Sequence, residues 1–276
     1  MSSAPKPAVR SQIEAALYLH TSGRHEEALD LLATPEENLP DFYTLRGDIQ
    51  FALGRFEEAA GSYFTSATLE PAPENAYAQS RLGICFHQLG RWVEAGQAFQ
   101  KVLENEPHRD EARLGLGACL LHLNRPEEAL ANFDRCWSDA ARQRVLFGKA
   151  VALQLLGRYE EAESAYQRLL ATDPKSEEAL SNAIALCIES RDLESVKRYA
   201  LRLIELSPES TVALQGLAAA ALANREYEAA FHYCSRIVER APECMEAWHN
   251  LRYASGCIMA TLRTTAVAVR SAAGRK

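Results

Sequence analysis

The chain has 276 residues, of which 47% are hydrophobic and only 14 are glycine and 11 proline, a composition that excludes a linker and indicates a folded protein with a substantial core. Its net charge of −7 is uneven, because residues 260–276 carry four basic side chains and no acid. The acidic remainder disfavours nucleic acid as the main partner, since binding to a phosphate backbone needs a positive face.

The chain contains no targeting or membrane-spanning pattern. The first ten residues lack the apolar run of a secretory signal, and no stretch reaches the ~18 apolar residues of a membrane span. Seven cysteines form an odd set without a CxxC pair, which favours reduced thiols over a disulfide framework. We therefore expect a soluble cytoplasmic protein with no membrane span, whose residues 1–8 are disordered.

One short motif returns along the chain at nearly constant intervals. It reads GRHEEA from Gly23, GRFEEA from Gly54, GRWVEA from Gly90, NRPEEA from Asn124 and GRYEEA from Gly157, with weaker copies anchored on Arg191 and Arg225. The steps between these anchors are 31, 36, 34, 33, 34 and 34 residues. A proline follows six of the seven anchors at the same offset. Such spacing is typical of a structural repeat.

Each repeat has the pattern of two helices. Apolar residues recur at helical spacing before and after the motif, as in Leu82, Cys85, Phe86 and Leu89, and then Ala95, Ala98, Phe99 and Val102. The glycine between them permits a tight turn. The glutamates that follow fall in the first turn of the second helix, where the helix dipole favours them. The proline suits the start of the next unit.

The motif from Gly157 also has the residue types of an acid–base site. Arg158, Tyr159, Glu160 and Glu161 offer a cation, a phenol and two carboxylates. Equivalents of Arg158 and Glu161 recur in the four preceding copies, however, and an active site is not normally built five times along one chain. The pattern therefore favours a structural joint.

These residues resemble the tetratricopeptide repeat, whose 34-residue unit has Leu and a small residue at positions 7 and 8, Gly at 15, aromatics at 17 and 24, Ala at 20 and Pro at 32. The third unit supplies Leu82, Gly83, Phe86, Gly90, Trp92, Ala95, Phe99 and Pro107. The resemblance implies an all-α fold, a right-handed α-solenoid superhelix of about seven helix-turn-helix units with a C-terminal capping helix. We expect units at approximately 9–39, 40–75, 76–109, 110–142, 143–176, 177–210 and 211–244, a capping helix at 245–262 and a basic tail at 263–276.

Three departures from the pattern predict local irregularity. The first unit is three residues short and the second two residues long, so we expect irregular stacking there. The fourth unit has Ala141 in place of the proline, which predicts a different bend. The sixth has Ile184 and Val196 at slots for small residues, which predicts helices that sit further apart.

The chain has no recognisable catalytic motif. It lacks a nucleophile elbow, a Walker loop and a dinucleotide fingerprint, and Gly115 and Gly117 fit close helix packing better than a phosphate loop. His20 and His87 fall at position 12 of their units, with His122 beside that slot, which favours polar contacts in a binding surface; a metal site is the minor alternative, because ligand spacing is missing. We therefore expect no enzymatic activity, cofactor or metal.

The resemblance places positions 2, 5, 9 and 12 of each first helix on the concave surface, where members of the family bind partners. Lysine and asparagine residues of the kind that grip a partner's terminal carboxylate are absent from this surface. The expected contact residues are polar in the amino-terminal units and mostly apolar later: Asp48, Ser80, Arg81, Ile84, His87, Leu114, Ala118, Leu121, Phe147, Val151, Gln154, Ser181, Ala185, Ile188, Gln215, Ala219 and Leu222.

Exposed apolar surface of this extent usually marks an interaction site. We expect a partner's extended peptide or amphipathic helix to cover it, which predicts a non-enzymatic scaffold or adaptor protein. The alternative is that the chain's own tail, or tight curvature of the superhelix, covers this apolar surface. An alternative function is a targeting or regulatory module of a separate enzyme, such as a glycosyltransferase, which this repeat often accompanies.

The C-terminal segment has three possible roles that the sequence leaves open. Ile258, Leu262, Ala266 and Val269 share one helical face, flanked by arginines. The segment would cap the last unit, dock into the chain's own groove or touch an acidic surface. We expect residues 245–262 to form the cap, because the terminal repeat of a solenoid needs a closing surface.

Overall fold

The computed structural model describes the backbone of residues 7–34 and 38–273 and the side chains of residues 10–34 and 38–265. All regular secondary structure in these ranges is helical, which confirms the predicted all-α fold. Helices α1 to α15 span Pro7–Thr21, His25–Leu31, Pro40–Ala52, Phe56–Leu69, Ala76–Gln88, Trp92–Asn105, Asp110–His122, Pro126–Asp134, Arg142–Leu155, Tyr159–Thr172, Glu177–Glu189, Leu193–Leu206, Thr211–Ala223, Tyr227–Arg240 and Met245–Ala273, with a 3-10 helix at Asp139–Ala141.

The chain forms two compact units that divide within α9, between Ala152 and Leu153. The first unit holds α1–α8 and most of α9, and the second holds the end of α9 and α10–α15. From α1 to α8 and from α10 to α15, each helix packs against the next one in the chain, and first helices also contact the first helix of the next repeat, as α5 with α7 and α11 with α13. Each unit is therefore a stack of helix pairs, the arrangement of an α-solenoid.

Every repeat motif forms the turn between two helices. Its anchor residue has a positive φ in all seven copies, from 56° at Asn124 to 80° at Gly23. At Gly90 the backbone N–H donates to His87 O at 3.0 Å and the next N–H, of Arg91, donates to Phe86 O at 2.8 Å. This pair of bonds ends a helix at a left-handed residue, and glycine suits it because a Cβ atom disfavours positive φ.

Large aromatic side chains of the second helices pack against glycine backbone of the first helices. The ring of Phe133, in α8, lies against Gly117 in α7 and Gly148 in α9, so close that an added Cβ atom at either glycine would be 2.5 Å from the ring. Phe99 occupies the same place between Gly83 and Gly115. Glycine at these positions lets neighbouring helices approach over a buried ring.

The second and fourth repeats keep their helix pairs through local adjustments. The two extra residues of the second repeat lie in the loop before α5, where the Asn75 side chain donates to Ala67 O and Glu70 O, both at 3.1 Å. At the fourth repeat α8 ends early, and the carboxylate of Asp110 accepts the N–H groups of Trp137 at 2.9 Å and Ser138 at 2.5 Å. These hydrogen bonds fix the segment after α8, where the repeat lacks its proline.

The sixth repeat exchanges large and small residues. Ile184 and Val196 are both fully buried, although the pattern has small residues at their positions. The aromatic slot of this repeat holds Ala200, and an added Cβ atom at Gly216 would meet Ile184, Val196 and Ala200 at 3.0, 3.2 and 3.5 Å. The two branched side chains thus fill the volume that an aromatic ring occupies in other repeats.

The last helix runs further than the sequence pattern suggests. α15 is a single helix of 29 residues, and its backbone shows no break between residue 262, the predicted end of the capping helix, and residue 263, the predicted start of the basic tail. The threonines of this segment fit the helix because their hydroxyls donate to backbone carbonyls of the preceding turn, Thr261 to Cys257 at 3.0 Å and Thr264 to Ala260 at 3.2 Å. Within the described ranges, no helix combines the length and apolar character needed to cross a membrane.

The packing of Phe133 on glycine can be tested by substitution. We expect Gly117→Ala to lower the free energy of unfolding by about 1–3 kcal/mol, because its Cβ atom would overlap the buried ring. Gly61→Ala, in α4, is the matched control: nothing lies within 4 Å of its added Cβ atom, so it should stabilise by about 0.5–1 kcal/mol. Urea denaturation followed by circular dichroism measures both, and equal effects would contradict the packing argument.

Candidate functional site

The predicted contact residues of the first unit lie on α3, α5, α7 and α9, and most of them are partly exposed. Intermediate exposure is found at Asp48, Arg81, Ile84, His87, Ala118, Leu121, Phe147 and Val151. Ser80 and Leu114 are buried, with 7% and 8% of their surface exposed. The Ser80 hydroxyl donates to Ala76 O at 2.8 Å, and Leu114 packs in the cluster around Phe133. These two residues therefore belong to the packed interior below the surface and are not exposed contact residues.

The predicted contact residues of the second unit form a second, less polar face. Ser181, Ala185, Gln215, Ala219, Leu222 and Gln154 have intermediate exposure, and Ile188 is exposed. The Tyr166 hydroxyl lies 3.5 Å from the Gln154 side-chain oxygen, and the Gln215 amide lies 3.8 Å from the Cys244 sulfur. The polar groups of this face thus include two amides that already contact neighbouring side chains.

A polar cluster of four side chains from three helices is the most organised feature of the first face. In this Asp48 cluster (Asp48, Tyr63, Tyr77 and Arg81), Oδ1 of Asp48 accepts the hydroxyls of Tyr63 at 2.6 Å and Tyr77 at 2.9 Å. The Arg81 Nε donates to the Tyr63 hydroxyl oxygen at 3.1 Å and lies 3.3 Å from Asp48 Oδ1. Its guanidinium carbon stands 4.2 Å from the ring centre of Phe51, a cation–π contact.

The electrostatics of the Asp48 cluster keep both phenols protonated. Burial, with the hydrogen bond to Asp48, raises the pKa of Tyr63 well above its ordinary value. Burial and the charge of Asp48 raise the pKa of Tyr77 to about 12. The hydroxyls therefore act as donors and the carboxylate as an acceptor at neutral pH. Arg81 makes its cluster contacts through Nε, so Nη1 and Nη2 provide further donors beside the half-exposed Tyr77 ring.

Sequence reasoning found Asp48 and Arg81 but missed both tyrosines. Tyr63 occupies the aromatic slot that Phe99 and Phe133 fill in the next two repeats, a slot that the repeat pattern assigns to packing. The signal that it differs is Arg81, which stands at position 6, where the following two repeats have Gly115 and Gly148. Tyr77 stands at position 2, a slot that the resemblance itself assigns to the binding surface.

A second group on the same unit joins two histidines and a tryptophan. In this His87 cluster (His87, Trp92 and His122), the rings of Trp92 and His122 stack with centres 3.9 Å apart and planes 7° apart. The His87 ring meets both edge-on, with its centre 4.8 Å from Trp92 and 5.6 Å from His122. Burial and the neighbouring His122 lower the pKa of His87, so it is neutral at physiological pH.

The repeated Arg–Glu pairs stabilise the helix turns. Arg158 donates to Glu161 through Nε and Nη2, both at 2.7 Å, and this hydrogen bonding lowers the pKa of Glu161. Arg91 also reaches back to Glu57 of the preceding repeat at 2.9 Å. A carboxylate held ionised by its own arginine is a poor proton shuttle, which supports the structural interpretation of the motif.

The buried thiols are unsuited to nucleophilic chemistry. Burial raises the pKa of Cys85 to about 12 and of Cys119 to about 11. Among the described residues, Glu163, Cys187 and Asp192 bring three ligand atoms within 4.8 Å of one another. Burial raises the pKa of Cys187 to about 12, Arg198 and Tyr199 each lie 3.4 Å from Glu163, and Asp192 caps α12 by accepting the Ser195 N–H. These groups already have partners within the protein.

Comparison with known proteins identifies the repeat. Models of the tetratricopeptide repeat match residues 13–71, 44–109 and 86–144, and a model of the coatomer epsilon subunit matches residues 134–221. The C-terminal part of a TPR repeat-containing protein from Cytophaga hutchinsonii superposes with a TM-score of 0.66 at 17% identity, over 87% of this chain and 99% of that one.

Two further solved structures share the fold. PilW, described as a widely conserved type IV pilus biogenesis factor, gives a TM-score of 0.67 at 19% identity over 78% of this chain and 97% of its own. YrrB, described as a TPR protein with an unusual peptide-binding site, gives 0.54 at 21% identity over 63% of this chain and 89% of its own. At these identities the likeness concerns the fold alone.

The Asp48 cluster should stabilise the first unit measurably. We expect Tyr63→Phe to lower the free energy of unfolding by about 1–2 kcal/mol, because it removes a hydrogen bond to a partly buried carboxylate. Tyr43→Phe is the control, since that hydroxyl donates only to the exposed Asn38 side chain at 2.9 Å, and its loss should change the free energy by less than about 0.5 kcal/mol. Urea titration compares them; equal losses would argue against the cluster.

The His87 cluster predicts a titration that proton NMR can follow. The pKa of His87 should lie below 6.5, and His122→Gln should raise it without restoring it fully, because burial is the larger cause. Below pH 6.5 His87 binds a proton in the unfolded chain more readily than in the folded protein. The free energy of unfolding should therefore fall as the pH drops through 6.5. A His87 midpoint that does not move in His122→Gln would show that the two rings do not interact electrostatically.

Proposed function

Because this chain belongs to the tetratricopeptide-repeat family of protein-interaction scaffolds, we propose that it is an adaptor whose first unit binds a protein segment across the first-helix face of α3, α5, α7 and α9. The observation that carries this proposal is the Asp48 cluster, a built set of oriented donors and an acceptor at a partly exposed surface. Tetratricopeptide-repeat proteins are generally non-enzymatic, and binding is the chemistry that these groups support.

The residues around the cluster favour an extended peptide. Peptide recognition combines polar contacts to the backbone with pockets for alternate side chains. The Tyr77 ring, 45% exposed, and the Arg81 guanidinium offer the polar part. Ile84, Ala118 and Leu121, partly exposed on α5 and α7, offer apolar contact.

The charge of the cluster suggests the kind of group it contacts. Asp48 and Arg81 neutralise each other, so the cluster presents hydrogen-bonding capacity with little net charge. The guanidinium donors of Arg81 suit a carbonyl oxygen of the partner, and the Asp48 carboxylate suits an amide N–H, as does the oxygen of the Tyr77 hydroxyl, whose hydrogen is donated to Asp48. YrrB, a fold relative described as having a peptide-binding site, provides a precedent for peptide recognition by such repeats.

Site-specific photo-crosslinking in cells tests the proposal. A photoreactive residue at Ile84 should yield partner adducts, whereas the same residue at Gln100, exposed on the second helix α6, should not. Leu121→Glu and Phe147→Glu should abolish the Ile84 adducts, because a buried unpaired charge opposes apolar contact.

Ala118→Glu serves as a milder variant, because it adds a carboxylate to the same face without removing a large side chain. Ala131→Glu, exposed on the second helix α8, is the matched control and should leave the adducts unchanged. Circular dichroism confirms that each variant keeps its helicity. Adducts that survive Ala118→Glu, or that form equally at Gln100, would disprove binding on this face.

A further inference from the structure

The first half of α15 occupies the place of a first helix in an eighth repeat. The 34-residue step aligns Trp248, Leu251, Arg252 and Ser255 with four residues of α13: Leu214, Leu217, Ala218 and Ala221. Leu214 and Ala221 pack against the second helix α14, in clusters with Ile237 and Ala230. All four residues of α13 are at most 4% exposed. The repeat register therefore marks one face of α15 as a surface built to receive a helix.

In the described part of the chain no second helix covers this face. Each earlier repeat turns at position 15, but the corresponding residue of α15, Met259, lies inside the continuous helix. Trp248 and Met259 are 46% and 53% exposed, and Leu262 further along is 60% exposed. A groove of about 510 Å³ opens between α14 and α15, lined by Phe231, Trp248 and Leu251 among others.

The groove is held in a fixed shape. Ala247 and Ala254, on the opposite side of α15, are buried against α14 and α13. The Trp248 indole N–H donates to Pro242 O at 2.9 Å, which orients the ring at the edge of the groove. Two helices thus form a concave apolar channel, whose shape fits a ridge of side chains on a third helix better than a flat lipid surface.

The occupant must differ from an ordinary second helix of this repeat. Position 8 carries Gly47, Gly83 and Gly117 in earlier repeats, and their close approach to an aromatic ring leaves no space for a side chain. Position 8 of α15 is Arg252, which is exposed. His249 also lines the groove, and none of the described residues that line it is acidic. Desolvating Arg252 requires a carboxylate on the incoming helix.

We propose that the α14–α15 groove is a docking site for an acidic amphipathic helix of a partner protein. The apolar ridge of that helix packs between Phe231, Trp248 and Leu251, and a carboxylate beside the ridge pairs with Arg252. This surface lies within the second unit and is separate from the first-helix face of the first unit.

The test uses the full chain and a designed fluorescein-labelled peptide of 14 residues, the length of the second helices α12 and α14. The peptide carries a leucine stripe at helical spacing flanked by glutamates, and a control peptide has lysines in place of the glutamates. Fluorescence anisotropy should show saturable binding of the glutamate peptide only. Arg252→Glu and the length-matched Arg252→Gln should each weaken it about tenfold or more.

Arg168→Glu, exposed on α10, is the matched charge change outside the groove and should leave the affinity unchanged. In a Trp92→Phe/Trp137→Phe background, bound peptide should shift the emission of the remaining Trp248 to shorter wavelength. Arg252 is exposed, so its variants should retain the circular dichroism of the parent protein.

Several results would overturn the proposal. They are absence of saturable binding, equal affinity for the lysine peptide, and unchanged affinity in Arg252→Glu. Sedimentation equilibrium would assign the groove to a second copy of this chain if it showed a dimer that Leu251→Glu dissociates. Binding to phosphatidylserine-containing vesicles that Arg252→Glu removes would assign it to a lipid surface.

Discussion

The close approach of a buried aromatic ring to glycine backbone is the contact on which the helix stack of the first unit depends. Phe133 lies between Gly117 of its own repeat and Gly148 of the next, and Phe99 lies in the same way between Gly83 and Gly115. Each ring therefore fixes two interfaces, one within a repeat and one between repeats. The left-handed residue at the motif reverses the chain direction, so that the second helix packs against the first with its aromatic ring on the glycine backbone.

The candidate binding cluster arises where this contact is modified. Tyr63 is fully buried and packs on Gly47 as the phenylalanines do, but its hydroxyl donates to Asp48, which is partly exposed. Arg81 replaces the glycine that the next two repeats have at position 6, and its guanidinium lies over the rings of Phe51 and Tyr63. One hydroxyl and one arginine thus convert a packing slot into a polar site without breaking the stack.

Much of the fold could be predicted from the sequence because the repeat spacing, the glycine turns and the helical periodicity all depend on local chemistry. The features that could not be predicted from the sequence depend on contacts between residues that are distant in the chain. The partner of the Tyr63 hydroxyl lies fifteen positions earlier on another helix. Ser80 and Leu114 hold surface positions in the repeat pattern but are buried by their neighbours. Ala200 makes room for Ile184 and Val196, an exchange of volume that position-by-position reading does not detect.

Each candidate interaction surface contains an arginine at a position where several other repeats have a small residue. Arg81 stands at position 6, which is glycine in three later repeats, and Arg252 stands at position 8, which is glycine or alanine in six of the seven preceding repeats. A small residue there lets two helices meet at short range, whereas a guanidinium needs water, an aromatic face or a carboxylate. Arg81 finds two rings and Asp48 within its own unit. Arg252 lies exposed beside an apolar groove. An arginine at a small-residue position thus completes a polar cluster in the first unit. In the second unit it leaves a positive group that a carboxylate on an incoming helix can pair with.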